Sequence, residues 1–422
     1  MSWILGRQSM TFHSAKVPVR LPLKRGGDDS PEVDSKSLSD LCKDATPACW
    51  LNPLLFNGHL QTLWTAINSS DVPITYQRKV FSSDSTRYPG TFAVDFVVPT
   101  LIPARKADAS LPPRTTYFED TAFDSLASDD DKPMLIVLHG LAGGSNEIYL
   151  RSVLKLLCLD PPVDERWEAC VVNARGCAMS KITSGLLYNA RATWDIRQFV
   201  QWARQMWPRR RIFACGFSLG ANILVNYLGE EEAGCPLDAA IVISNPWNLE
   251  VSSFFLQSTW LGMNVYMRAM GTSMRQLWAR HKEDILREIK GIDVEKVDNM
   301  QYLFEFDRYV QCPTWGWPTE GAYYRDASSV EALIDVRIPL FAIHARDDPI
   351  VNDFAAPYEE IKHNPYAVMV ATSGGGHLSW FQFGGERWFA QAAAAWLNKM
   401  ANEVDFDALR ESRISSISKK AK

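Results

Sequence analysis

The segment RIFACGFSLGANILVNYL carries Gly216-Phe217-Ser218-Leu219-Gly220, a G-x-S-x-G pattern between an apolar run of strand length and a stretch of helix length. A serine in that setting can act as a nucleophile. On a strained strand-to-helix turn its Oγ projects clear of the backbone, and the flanking residues must be very small because the chain nearly touches itself. The following helix sets its positive end beneath a developing oxyanion. A serine hydroxyl also needs a base, and the base needs an orienting acid. SGGGHLSW places His377 on a glycine-rich loop late in the chain, where the glycines let the imidazole fold back towards Ser218. HARDDPIV ends an apolar run with Asp347-Asp348-Pro349. Two adjacent aspartates cannot both reach the imidazole from one strand end. Asp348, directly before the turn that Pro349 marks, is the expected acid; Asp347 is the alternative and Asp353 a remote third.

Such residues need a rigid frame. From Pro133 onward, short apolar runs (MLIVLHG, EACVVNA, RIFACGF, AAIVISN, IPLFAIHA and YAVMVAT) alternate with amphipathic stretches such as ATWDIRQFVQWARQMW. Continuous apolar strands alternating with helices predict a mostly parallel sheet covered on both faces, with the site beyond the strand ends. With the elbow and the order Ser…Asp…His, this is the pattern of the α/β-hydrolase fold. In that fold the loop after an upstream strand supplies one oxyanion N–H, here expected from Leu141 in His139-Gly140-Leu141, and the N–H of Leu219 supplies the other. His139 precedes the nucleophile and is read as a loop-shaping residue.

The expected organisation runs as follows. Residues 1–48 mix Pro, Gly, Ser and charge and read as a weakly ordered extension. Residues 49–247 form the first part of the hydrolase core, including TRYPGTFAVDFVVP as an antiparallel strand and a polar, Pro-rich loop over 100–133. Residues 248–335 break the strand rhythm with helical, aromatic and Met-rich pieces and read as a helical cap. Residues 336–402 complete the core, and 403–422 are a polar tail.

Composition narrows the function classes. The 422 residues are 46% hydrophobic and 22% charged, with a net charge of −5, the balance of a globular protein and not of a nucleic-acid binder. The eight Cys show no CxxC pair or zinc-ligand spacing, and read as reduced thiols of a cytoplasmic protein. The first residues do not read as a secretory leader, and no apolar run of transmembrane length occurs in the sequence. No metal or cofactor is expected.

The stretches NPLLFNGHLQTLW, LHGLAGGSNEIYLRSV, VVNARGCAMSKIT, TWDIRQFVQW, CGFSLGANILVNYLGEE, CPLDAAIVISNPWNL, CPTWGWPTEGAYYRDAS, HARDDPIV and GGGHLSW closely resemble the medium-chain fatty acid ethyl ester synthase/esterases and their bacterial and animal relatives (the AB hydrolase 4 family). The resemblance covers about residues 50 to 400. NGHLQT and the RGC…S segment are more specific than the elbow. The resemblance places nucleophile, acid and base on Ser218, Asp348 (or Asp347) and His377. It implies hydrolysis of carboxylic esters and acyl transfer from an acyl thioester, such as an acyl-CoA, to a small alcohol. Wider relatives act on phospholipids or other lipid esters, so association with lipid droplets or membranes is a further expectation.

Phe254, Trp260, Met263 and Tyr266 in the cap are expected to wall an acyl pocket, with Phe255 and Met270 in the same set. Trp315 and Trp317 are expected to brace the cap. His59 and Gln61 of NGHLQT are polar in an apolar segment and read as anchors of that segment, or else as contacts at the site entrance. Arg175, Gly176 and Cys177 follow a strand end and are expected to border the cleft; Cys177 has no base placed for it.

Overall fold

Six of the apolar runs become strands whose residues are almost all buried: β7 (Met134–Leu138), β8 (Glu168–Asn173), β9 (Ile212–Phe217), β10 (Ala239–Ile243), β11 (Leu340–Ala345) and β12 (Ala367–Thr372). They lie parallel in the order β12-β11-β10-β9-β7-β8. The computed structural model describes residues 6–24, 34–68, 71–98 and 108–411. Side-chain alternation along each strand feeds two cores. Phe213, Cys215 and Phe217 of β9 pack on one face with the C-terminal helix Trp388–Glu403; Ile212 and Ala214 pack on the other with the helix Leu219–Glu231. Each fully buried Val, Leu, Ile or Phe contributes about 1.5–3 kcal/mol, so every strand is fixed from both sides. All eight cysteines are free and buried.

Beyond β8 the sheet turns antiparallel through β5 (Thr91–Val98) and β4 (Thr75–Ser82), and the short β6 (Thr115–Tyr117) lies parallel to β4. Arg78 faces Asp95 across the β4–β5 pair in a buried two-pronged contact of 2.6 and 2.7 Å. Asp95 also accepts from Ser145 and Asn173, so no charge is left unpartnered. The 100–133 stretch is thus partly structured, with β6, a short helix Asp120–Asp124 and a buried Leu111; residues 99–107 lie outside the described ones.

The N-terminus corrects the expectation of a weakly ordered extension. β1 (Met10–Ser14) pairs antiparallel with β12, Phe12 opposite Val370. β2 (Arg20–Pro22) and β3 (Ser35–Ser37) form a small ribbon, and the helix Leu38–Ala45 buries Leu38, Leu41 and Cys42. An edge strand held by backbone hydrogen bonds needs little apolar alternation, and β1 is only half-buried, so its sequence carries a weak signal. The polar tail is corrected at its start: Phe406 and Leu409 are buried, Phe406 against Phe213. Residues 412–422 fall outside the described ones.

Between Leu249 and Asp335 there are helices and no strand. This region is tied to the core at several points. His281 Nε2–H donates to the Gly176 carbonyl at 2.9 Å, Gln311 donates to the Tyr188 carbonyl, and Trp315 packs against Trp194. Among the described residues no helix is long and apolar enough to cross a membrane.

Candidate active site

Ser218 sits at the turn between β9 and the helix Leu219–Glu231 with φ +50° and ψ −120°, a strained conformation for a residue with a side chain. The Ser218 backbone N–H donates to the Ile243 carbonyl, and the Ser218 carbonyl accepts from Ala221 and Asn222. The turn is tight: a Cβ at Gly220 would lie 2.4 Å from the His139 carbonyl oxygen. Any larger residue there would force the helix off the sheet.

The three chemically marked side chains meet. The Ser218 hydroxyl lies 2.9 Å from His377 Nε2, and His377 Nδ1–H donates to Asp348 Oδ2 at 2.8 Å. Asp348 is 3% exposed, and its other oxygen accepts the backbone N–H groups of Ile350 and Val351 at 2.8 and 2.9 Å. Two backbone donors and one imidazole therefore satisfy the buried carboxylate. With Nδ1 committed as donor, Nε2 carries the lone pair facing the serine hydroxyl. The arrangement can take a proton from serine and hold the resulting imidazolium.

The neighbouring aspartates divide their tasks. Asp347 Oδ1 accepts the backbone N–H of Gly376, which fixes the start of the histidine loop. Burial pushes the Asp347 carboxyl above its ordinary value, partly offset by that hydrogen bond. Asp353 pairs with His344 and Tyr358 instead, away from His377.

Two tyrosines that the sequence reading did not single out shape the loop after β7. Gly140 N–H donates to the Tyr149 hydroxyl and Ala142 N–H to the Tyr188 hydroxyl, each at 2.8 Å. Between them the N–H of Leu141 has no protein acceptor among the described residues, and the same holds for Leu219 at the head of its helix. The loop lies close to Ser218, since a Cβ at Gly140 would be 3.3 Å from that of Ser218. Leu141 and Leu219 line the same cavity as Ser218. His139 shapes this loop: Nδ1–H donates to the Gly140 carbonyl and Nε2 accepts from Ala174. Burial lowers its pKa to about 4, so it stays neutral.

That cavity, about 90 Å³, is walled by Leu249, Leu256, Met267, Met270, Leu303 and Tyr324, among others. Of the six cap residues expected there, Met270 takes part. Phe254, Phe255, Trp260, Met263 and Tyr266 do not line it. Phe254 is 75% and Trp260 72% exposed. The helix Leu249–Ser258 buries Ser252, Ser253 and Leu256, and Phe254 falls on its opposite side. Helical spacing alone does not say which face of a cap helix looks inward. Tyr266 is buried, but its hydroxyl binds His59 Nδ1 at 2.8 Å. A larger polar depression of about 860 Å³, lined by Lys132, Arg166, Arg211, Asp407 and Arg410, lies at the opposite ends of the strands and has no nucleophile–base pair.

NGHLQT forms the start of the helix Gly58–Ile67, capped by Asn57, and packs directly behind the site. Gly58 lies against Asp347, where a Cβ would fall 1.8 Å from the carbonyl oxygen. Gln61 accepts the Phe381 N–H at 2.7 Å and donates to the Leu55 carbonyl. Thr62, unremarked in the sequence reading, accepts the His377 N–H. The RGC segment does not border the cleft. Arg175 is buried in an ion pair with Asp195 and donates to the Tyr88 and Pro89 carbonyls; Cys177 is buried, its thiol pushed up to about 12 by burial. Trp317 packs on Tyr323 within the cap, whereas Trp315 reaches the core at Trp194 and Tyr88. Among the described residues no group of His, Cys, Asp and Glu is placed to hold a metal ion.

Residues 133–383 match the model of the alpha/beta hydrolase fold family. A monoacylglycerol lipase of Saccharomyces cerevisiae is 35% identical over 90% of this chain and 86% of its own length. Medium-chain fatty acid ethyl ester synthase/esterase 2 of the same yeast is 31% identical over 83% of this chain and 85% of its own. Phospholipase ABHD3 of Homo sapiens is 26% identical, covering 88% and 82%. The matched span contains Ser218, Asp348 and His377, which the geometry brings together, and the chain belongs to the α/β-hydrolase fold family.

Proposed function

We propose that the protein is a serine hydrolase of carboxylic esters, acting on medium-chain acyl groups through an acyl-enzyme on Ser218. The observation that carries this reading is the 2.9 Å contact from Ser218 Oγ to His377 Nε2, with Asp348 behind the imidazole. His377 takes the hydroxyl proton as Oγ attacks the acyl carbonyl. The negative oxygen is held by the N–H groups of Leu141 and Leu219, each worth roughly 3 kcal/mol in comparable sites. When the intermediate collapses, the imidazolium gives its proton to the departing alkoxide or thiolate, leaving an ester on Ser218. Water then attacks with His377 as base and releases an acid. If an alcohol attacks in its place, a new ester leaves. Acyl transfer from a thioester such as acyl-CoA to a small alcohol is the second half of the proposal.

Support for the substrate class comes from the apolar wall of the cavity and from the relatives, whose names specify a monoacylglycerol, a medium-chain ethyl ester and a phospholipid. The Met267 and Met270 side chains give that wall a shape that adapts to the acyl chain. The proposed place of action is the cytoplasm, beside lipid droplets or membranes. The test is a panel of acyl esters of graded length, monoacylglycerols and acyl thioesters, with and without ethanol, turned over by the wild type and by Ser218→Ala. The wild type is expected to hydrolyse medium-chain esters and, with ethanol, to yield ethyl esters. Equal turnover by both proteins removes the nucleophile, and hydrolysis without ethyl ester formation removes the transfer half.

A further inference from the structure

The most exposed Phe and Trp side chains are not scattered. Among the described residues, every Phe or Trp more than 70% exposed lies on one of four segments that meet at the site: Phe56, Phe254, Trp260, Phe354 and Phe383. Leu54, 75% exposed, joins them. Contacts show that these segments adjoin. The helix that follows Phe56 rests on Asp347 through Gly58 and reaches the cap through the bond from His59 to Tyr266. The helix bearing Phe254 packs on the turn Asp353–Ala355, which carries Phe354. Asn52 N–H donates to the carbonyl of Phe381, two residues from Phe383, and Thr65 bonds to Ser379 on the loop of His377.

The charge pattern says what such a rim meets. No Asp, Glu, Lys or Arg occurs between Asp44 and Asp71, between Glu250 and Arg268, or between Lys362 and Glu386, whereas Phe354 has Asp353 beside it. The three segments that bear Leu54 and Phe56, Phe254 and Trp260, and Phe383 are therefore free of side-chain charge. A rim of this kind need bury no charged side chain on these segments in leaving water, and they offer no basic cluster to an anionic surface. Isolated exposed apolar residues are ordinary, but a set of aromatic ones around one opening marks an interaction surface.

We infer that this aromatic rim, free of side-chain charge on three of its four segments, is a docking face for an electrically neutral phospholipid surface, which sets the mouth of the Ser218 cavity against the lipid. The inference rests on the proposed ester-hydrolase reading for its purpose, but not for its test. Aromatic side chains enter the headgroup boundary, and the uncharged backbone segments behind them follow. Substrate then passes from lipid to cavity without crossing water. Phe254 and Trp260, which do not line the cavity, have their place on this face.

The experiment is flotation of the full-length Ser218→Ala protein with phosphatidylcholine vesicles, at low and at high salt, beside vesicles containing phosphatidylserine. Binding to phosphatidylcholine is expected, neither strengthened by the anionic lipid nor weakened by salt. The triple variant F56S/F254S/W260S, made in the same background, is expected to lose roughly tenfold or more in partitioning. Made in the active protein, the same three changes should leave turnover of a water-soluble short-chain ester unchanged. Absence of binding to phosphatidylcholine, binding confined to the anionic vesicles, or an unaltered triple variant would each overturn the docking face. So would a wild-type dimer that the triple change dissociates, since a second copy would then be the occupant. Loss of wild-type activity on the soluble ester would instead strike the hydrolase reading and leave the flotation result standing.

Discussion

The hydroxyl of Thr62 accepts the backbone N–H of His377 at 2.9 Å while donating its own proton to the Gly58 carbonyl at 2.7 Å. The first turn of the Gly58–Ile67 helix thus fixes the height of the imidazole above the sheet. Thr62→Val removes the acceptor with little change of volume and leaves a half-buried N–H unpaired, a loss of about 1 kcal/mol. The expected outcome is a fall of roughly tenfold in kcat on a soluble ester, with KM little altered, because a displaced base slows chemistry more than binding. Thr62→Ser keeps the oxygen and should recover most of the rate. If serine rescues nothing, the hydroxyl is not what holds the loop.

The adjacent aspartates should separate in kinetics. Asp348→Asn keeps the shape but replaces the acceptor of His377 Nδ1–H with a group that selects the wrong tautomer, so kcat should fall by about 10³–10⁴-fold. Asp347→Asn retains an oxygen for the Gly376 N–H and relieves a carboxyl that burial already pushes up, so it should cost less than about tenfold. Steady-state kinetics of the two single variants decides the matter. Comparable losses would mean that Asp347 shares the orienting role.

Tyr149→Phe tests the loop that presents Leu141. The change removes the acceptor of the Gly140 N–H without emptying the core around a side chain that is 7% exposed. The freed amide can turn, and the Leu141 N–H loses its fixed aim at the proposed oxyanion position. A fall in kcat of about tenfold is expected, with the melting temperature lowered by only a few degrees. Unchanged kcat would place the oxyanion donors elsewhere.

Ser218, His377 and Asp348 were legible in the sequence because each carries a local signature: a small-x-Ser-x-small turn between strand and helix, a glycine-rich loop, and an acid before a proline turn. The six parallel strands were legible because burial on both faces writes a continuous apolar run. Thr62, Tyr149 and Tyr188 left little local trace, since each serves a backbone amide outside its own element, at separations of 315, 9 and 46 residues. NGHLQT did show polar residues in an apolar stretch, but not what they held. Phe254 and Trp260 were misplaced for a different reason. Periodicity identifies two faces of a cap helix and does not tell the one that meets a cavity from the one that meets the outside.

Asp307 supplies a pH dependence that can be read in stability. It is buried in the cap, where the Tyr324 hydroxyl donates to its Oδ2 at 2.6 Å, and Tyr324 lines the cavity beside Ser218. Burial raises its pKa from 3.8 to about 7, which the Tyr324 hydrogen bond only partly opposes. The folded chain therefore holds this proton more tightly than the unfolded chain does. Its contribution to stability is full below pH 4 and is lost as pH rises towards 7, where the folded carboxyl finally ionises in a buried site. Between pH 5 and pH 8 about two units of that range are traversed, or about 3 kcal/mol. Asp307→Asn keeps an oxygen for Tyr324 and cannot ionise. Thermal melts at pH 5 and pH 8 should show the wild type losing about 3 °C more than the variant over that interval. The acyl-pocket wall should loosen with it, so the wild-type KM for a medium-chain ester should rise above pH 7 while that of the variant stays level. Parallel melting curves for the two proteins would mean that the Asp307 carboxyl titrates near its ordinary value.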